Sequence, residues 1–308
     1  MDTAMTQPVS PSTFPSISPA ALTAQLGHAQ APLILDVRRE AKFIESQRIV
    51  CGAVRCTPEN VEAFARSHNP GKVVAYCVYG HNVSEDAVTQ FNHTGWSAQR
   101  LAGGIEGGKE GMDADADAAA NIAMWRAQTL PTIQKRPDWG VTGEQASRWV
   151  TRARPKIDRI ACPWLIRRFI DPRAEFFYVP TEQVFSEAKR LNAVAYDVPG
   201  APVSHTGPQG EWCSLDALLQ GFDLHLPALD VLARIVRGAD TDHLELAPQC
   251  AGLLATSLGM SALHTDDHAM LAAMLPVYDA LYAWCVQSVA GSAERHSWQP
   301  SPTPGAPV

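Results

Sequence analysis

Hydrophobic positions in the first third of the chain fall into two short unbroken runs, Leu33-Ile34-Leu35 and Val73-Val74-Ala75-Tyr76. The first passes straight into Asp36-Val37-Arg38 and the second into Cys77. Runs this short, apolar at every position, predict strands buried on both faces, as in a parallel sheet. Between and around them the spacing is helical: Leu22 and Leu26 follow a Ser18-Pro19 start signal and precede Pro32, and helices are predicted over 61–67 and over 83–93, the latter ending at Gly95. A third strand is predicted over 98–101, closed by Gly103-Gly104. Strands alternating with helices over about a hundred residues predict a small α/β unit with a central parallel sheet.

The pattern changes at Asp113-Ala114-Asp115-Ala116-Asp117, which opens an Ala-rich stretch that ends in Pro131 and Pro137 around Gln134-Lys135-Arg136. We read 113–138 as a linker or an exposed helix. A second unit is expected over 139–290. It has apolar residues at helical spacing over 157–170, strands over 176–179 and 194–198 with a helix over 182–191 between them, and four helices over 215–221, 227–237, 248–258 and 268–286. This second unit is predicted to be α+β and helix-rich. The flanks, 1–16 and the Ser/Pro/Gly tail 291–308, have too little apolar content to fold and are expected to be disordered.

With 308 residues the chain has room for two domains, and 46% hydrophobic with 19% charged residues is a globular composition. A net charge of -7 and the lack of any long Lys/Arg block argue against nucleic-acid binding. The start has no basic and apolar segments of a secretory signal, and no apolar run approaches a membrane span, so a cytoplasmic protein with no membrane partner is expected. The cysteines at 51, 56, 77, 162, 213, 250 and 285 include no CxxC pair, and thiols are expected.

Cys77 stands out because it directly follows a predicted strand and precedes a helix. Backbone N–H groups converge there and the helix dipole is positive, which lowers a thiol pKa and stabilises an anion alongside. The loop is Cys77-Val78-Tyr79-Gly80-His81-Asn82, and Gly80 suits a tight turn with inward amides. The plain alternative is a small buried hydrophobe. Asp36 and Arg38 read as a structural ion pair or loop anchor, and Cys51 and Cys56, flanking a turn without a helix start, as packed thiols.

This loop, with Asp36-Val37-Arg38, Cys51-Gly52-Ala53 and Leu101-Ala102-Gly103-Gly104-Ile105, resembles the rhodanese family over 17–112. The resemblance implies that Cys77 attacks a sulfane-sulfur donor, carries a persulfide and passes the outer sulfur to a thiol acceptor. The six-residue loop has the length the family uses for sulfur, whereas related phosphatases have a longer one. Many family loops carry Arg or Lys; here only His81 is a cation candidate, which favours a neutral or weakly charged persulfide donor over thiosulfate.

A second group of chemistry-bearing residues lies beyond 150. Asp158, Arg159 and Cys162 fall one turn apart, His205 and Cys213 sit in a strand-to-helix loop, and Asp240, Asp266 and Asp267 lie at helix boundaries. The run Lys156-Ile157-Asp158-Arg159-Ile160-Ala161-Cys162-Pro163-Trp164-Leu165-Ile166-Arg167-Arg168-Phe169-Ile170-Asp171, with Ile235-Val236-Arg237-Gly238-Ala239-Asp240 and Tyr278-Asp279-Ala280-Leu281-Tyr282-Ala283-Trp284, resembles the C-terminal domain of the chromate-resistance protein B family. That resemblance implies a role in chromate or oxidative-stress tolerance, with chromate or a metal as a partner. The rhodanese-like half stands where a DNA-associated regulatory segment would be expected, so no transcriptional role is carried over. His205 with Cys213 and nearby carboxylates forms a candidate site for zinc or iron, the alternative being a satisfied loop histidine and a packed thiol. Asp158 and Arg159 read as a helix-start carboxylate and an ion pair, Cys162 as packed beside Pro163 in an early helical turn, and Asp266 and Asp267 as helix N-terminal charges. Two functions follow: a sulfurtransferase acting through Cys77, or a non-catalytic redox or chromate sensor or adaptor with ligand or metal binding in the second unit.

Overall fold

Both apolar runs are strands, and they lie side by side. The computed structural model describes residues 14–107, 130–205 and 212–292, so the expectations for 1–13, 113–129 and 293–308 lie outside the described residues. Strands β1 (Ser16–Ile17), β2 (Leu33–Asp36), β4 (Ala53–Arg55), β5 (Lys72–Tyr76) and β6 (Ser97–Leu101) form a parallel sheet in the order β1-β6-β5-β2-β4; β3 (Arg48–Val50) stays outside it. Side chains alternate between its faces. Leu35, Val73, Ala75 and Cys77 turn to one, and Ile34, Val74 and Tyr76 to the other; all are buried, which is why the runs read as apolar at every position.

The first face is covered by α3 (Val61–Ser67) and α4 (Val83–His93), through Val61, Ala65, Val88 and Phe91, and Trp96 closes the layer by donating from Nε1 to the Ala65 carbonyl at 3.1 Å. The opposite face meets Leu22 of α1 (Pro19–Thr23), Phe43 of α2 (Glu40–Glu45) and the C-terminal half. One apolar cluster runs from Ile17 and Tyr76 through Trp139 and Trp149 to Tyr278. The end of the 113–138 segment takes part in this junction and is neither linker nor exposed helix. β7 (Thr132–Gln134) pairs antiparallel with β3, Ile49 opposite Ile133, and Lys135 is buried with its ammonium over the Phe43 ring. Three residues are too few for a period to register, which hid this strand. Elsewhere in the junction the Gly52 amide donates to the Phe169 carbonyl at 2.7 Å, and Gly27, at φ +78°, lies so close to the Tyr282 ring that a Cβ would overlap it.

The second unit has a small parallel sheet in the order β10-β8-β9, from β8 (Arg148–Arg152), β9 (Glu175–Val179) and β10 (Val194–Ala195). Its helices are α5 (Asp158–Leu165), continued by a π-helical turn over Ile166–Ile170, α6 (Val184–Leu191), α7 (Ser214–Gly221), α8 (Pro227–Asp240), α9 (Cys250–Leu263) and α10 (Asp267–Val289). The chain is thus α/β with a central parallel sheet at its N-terminal end and α+β, helix-rich, beyond it.

Pro163 lies well inside α5, later than the early turn expected for it. A proline there cannot donate to the Arg159 carbonyl four residues back. The buried Tyr196 hydroxyl reaches that carbonyl instead, at 3.4 Å. α10 corrects a second expectation: it is long and apolar enough to cross a membrane by length and composition alone. In the fold its Met270, Met274, Tyr278 and Tyr282 enter the apolar cluster.

Candidate functional site

The end of β5 delivers Cys77 to a loop held from behind by a second turn. The Cys77 and Val78 carbonyls accept from the amides of Ile105 and Glu106 at 3.1 and 2.9 Å, and the Gly80 carbonyl accepts from Arg100 Nη1 at 2.6 Å. Two glycines make this approach possible. A Cβ on Gly104 (φ +61°) would lie 2.5 Å from the Cys77 and Val78 carbonyl oxygens and the Gly80 amide, and one on Gly80 (φ +78°) would meet Gly103, Gly104 and Leu101 backbone at 2.7–2.8 Å. Only glycine satisfies both the positive φ and the contact.

Within the loop the Cys77 thiol lies 3.3 Å from the His81 carbonyl and 3.4 Å from the Ser84 hydroxyl, which itself donates to that carbonyl at 3.2 Å. His81 therefore enters the site through its backbone oxygen, and Ser84 is a neighbour of the sulfur that the sequence did not single out. Asn82 directly precedes α4, its carbonyl accepting from Asp86 at 2.8 Å. The amides of Val78, Gly80 and Asn82 donate to no acceptor among the described residues. Val78 and Tyr79 line one wall of a cleft of about 380 Å³, completed by Arg38, Lys42, Glu45, Ser46 and Glu106. Its charged lining is balanced, two cations against two carboxylates, and Lys42 is already paired with Glu45. The first turn of α4 adds Glu85 and Asp86, and Glu85 engages Arg100 at 3.5 Å. These carboxylates offset the positive helix end, so the surroundings suit a weakly charged ligand better than a dianion.

Asp36 and Arg38 form a buried fork. The carboxylate takes Arg38 Nε at 2.9 Å, Nη2 at 2.6 Å and the Arg38 amide at 3.1 Å, both side chains are 1% exposed, and the Tyr76 hydroxyl adds a further donor at 2.7 Å. Burial, then the Asp36 charge, pushes the Tyr76 phenol well above its ordinary pKa, which keeps it a donor. The pair anchors the β2 end beside the β5 end.

The second group resolves into a cluster and several outliers. Asp158, Asp197, His205 and Asp240 come from four places in the chain, and one ligand atom of each lies within 4.8 Å of the others. His205 Nε2 is 3.4 Å from Asp197 and 3.2 Å from Asp240. Asp158, fully buried, accepts from the Ser214 and Leu215 amides at the start of α7, at 2.6 and 3.0 Å. Burial and the Asp240 and Asp197 charges push its carboxyl well above the usual range, while hydrogen bonds to Asp197 and Asp240 raise His205 to about 10. Arg159 pairs with Asp197 at 3.2 Å.

Cys213 stays out of the His205 cluster, contrary to the metal pair expected of the two. Its amide and thiol both turn to Asp216, at 3.0 and 3.4 Å, capping α7, and Arg237 clamps the same carboxylate. Asp197, hidden at the end of an apolar strand pattern, takes its place in the cluster. Cys162 is packed, its thiol 3.6 Å from Asp158. Asp266 caps α10 and Asp267 accepts from the Arg154 amide, both away from the cluster's ligand set. The two long motifs meet through Asp279, which accepts from Trp164 Nε1 at 2.8 Å and from Arg168 at 2.8 and 2.9 Å.

Burial, the largest influence at each, raises the thiol pKa of Cys51, Cys56, Cys162, Cys213 and Cys285, to about 11 at Cys56 and about 12 at Cys285. All five are expected to resist iodoacetamide in the folded chain at neutral pH and to react only after unfolding. Peptide mapping checks this; rapid native labelling of any of them would contradict it.

Residues 149–285 match the family model described as the ChrB C-terminal domain. Protein ChrB of Cupriavidus metallidurans is 30% identical over 169 residues, covering 54% of this chain and 50% of that protein, so the chain matches about half the length of that curated relative. Among solved structures, a rhodanese-related protein of Thermoplasma volcanium is similar at 19% identity (39% of this chain, 97% of that chain, TM-score 0.28), and a rhodanese-like domain protein of Staphylococcus aureus at 21% (33% and 99%, TM-score 0.27). Residues 149–285 are thus similar to the ChrB C-terminal domain, and they follow an N-terminal α/β unit built on a central parallel sheet.

Proposed function

We propose that the N-terminal unit carries sulfane sulfur as a persulfide on Cys77, and that the chain serves chromate or oxidative-stress tolerance in the cytoplasm. The observation that carries this reading is the placement of Cys77 at a strand end, in a loop fixed by the facing Gly80 and Gly104, beside a cleft of balanced charge. The Cys77 thiolate attacks the outer sulfur of a low-molecular-weight or protein persulfide. A bond forms between the two sulfurs, the bond to the donor's inner sulfur breaks, and the donor leaves as a thiolate that takes up a proton. An acceptor thiolate then removes the outer sulfur and returns Cys77 to its starting state, with no net redox change. The Ser84 hydroxyl is placed to hydrogen-bond the Cys77 sulfur.

The chromate role comes from the ChrB likeness of the second unit. Sulfur transfer from a persulfide donor to cyanide or a thiol tests the chemistry: the unaltered chain should turn over and Cys77→Ser should not. Equal transfer by both would overturn the proposal, as would no transfer by either.

A further inference from the structure

We propose that Asp158, Asp197, Asp240 and His205 form a binding site for one hard divalent cation of the Mn²⁺ or Fe²⁺ class, independent of the Cys77 chemistry. Three carboxylates and one imidazole, drawn from the start of α5, the turn after β10, the segment leading to α7 and the end of α8, converge so that their ligand atoms lie within 4.8 Å. Such a spacing is near that of four ligands around one ion, and small side-chain adjustments bring all four to ordinary metal–oxygen and metal–nitrogen distances of roughly 2.0–2.3 Å.

Surface acids often cluster without an ion, but here Asp158 and Asp197 are buried and Asp240 is half-buried. Asp158 is fully buried and Asp197 is 6% exposed, and among the described residues no lysine or arginine pairs with Asp158 or Asp240. Arg152 and Arg159 both act on Asp197. His205 is the cationic partner of Asp240, and Asp158 has none among the described residues; a buried carboxylate without a counter-charge is ordinarily paired or bound to metal. Asp158 is also oriented from behind by the Ser214 and Leu215 amides, as an outer shell orients a ligand.

The donor set selects the ion. Cys213 and Cys162 lie outside it: Cys213 is turned to Asp216, and the Cys162 thiol sits behind Asp158. An oxygen-rich set with one imidazole and no thiolate suits Mn²⁺ or Fe²⁺, whereas thiolate ligands would favour zinc. His205, 37% exposed, gives the ion an approach from solvent.

The test is Mn²⁺ titration of the chelator-treated full chain, followed by calorimetry and by the loss of the free-Mn²⁺ electron paramagnetic resonance signal. One ion per chain is expected. Asp240→Asn, which keeps an acceptor oxygen for the Asp158 amide at the start of α5, and His205→Ala should each weaken binding by at least about tenfold while thermal unfolding stays cooperative. Cys213→Ser, Asp266→Asn and Cys77→Ser should bind as the unaltered chain does. No saturable uptake, unchanged affinity in both ligand variants, or a loss in Cys213→Ser matching that in Asp240→Asn would each overturn the assignment.

Discussion

Asp36→Ala is expected to destabilise the folded chain by about 3–5 kcal/mol, the cost of leaving one partner of a buried ion pair uncompensated. Arg38 is 1% exposed and would keep its charge, while the Tyr76 hydroxyl would lose its carboxylate acceptor. Arg38 Nη2 would retain the Arg48 carbonyl at 3.0 Å, which satisfies one hydrogen but supplies no counter-charge. Replacing both members by apolar residues of similar volume should recover much of the loss, since that variant buries no lone charge. Denaturant titration of the single and double variants checks this. A loss below about 1 kcal/mol in Asp36→Ala, the size of an exposed pair, would show that the fork is not desolvated as described.

Gly104→Ala should reduce sulfur transfer by about a hundredfold, the penalty of displacing a reacting group by an ångström or so. An alanine there must adopt φ +61° and place its Cβ against the Cys77 and Val78 carbonyls, all of them backbone that can yield only by moving the loop. Gly95→Ala is the control. It too has a positive φ, +86°, but nothing lies within 4 Å of its Cβ, so it should cost on the order of 1 kcal/mol of stability and leave transfer intact. If both variants transfer sulfur normally, the back-to-back glycines do not set the geometry of the Cys77 loop.

The central strands were legible because β2 and β5 are buried on both faces, which gave unbroken apolar runs, and Cys77 was legible because it stands at the end of one of them. β3 and β7 escaped notice because each is three residues long and pairs only with the other. β8 escaped because its apolar residues, Trp149 and Val150, lie between polar and charged neighbours, and the burial of Thr151 is a tertiary fact. In the second unit the sequence brought out Asp158, His205 and Asp240 but paired His205 with Cys213, a neighbour in sequence. The fold instead brings Asp197 to His205, and no spacing rule joins four residues from four separate elements. The lack of an Arg or Lys in the Cys77 loop is a property of the sequence alone. The balanced lining of the adjoining cleft, which includes Lys42 and Glu106, required the packing of α2 and the 101–107 turn against that loop.

Sulfur loading of Cys77 is tested most directly by intact-mass and peptide-level mass spectrometry of the full chain after exposure to a persulfide donor. The account predicts a gain of about 32 Da, one sulfur, on the peptide containing Cys77, removed by an acceptor thiol and absent from Cys77→Ser. A chain that gains no such mass, or gains it on another cysteine while Cys77 stays unmodified, would contradict it.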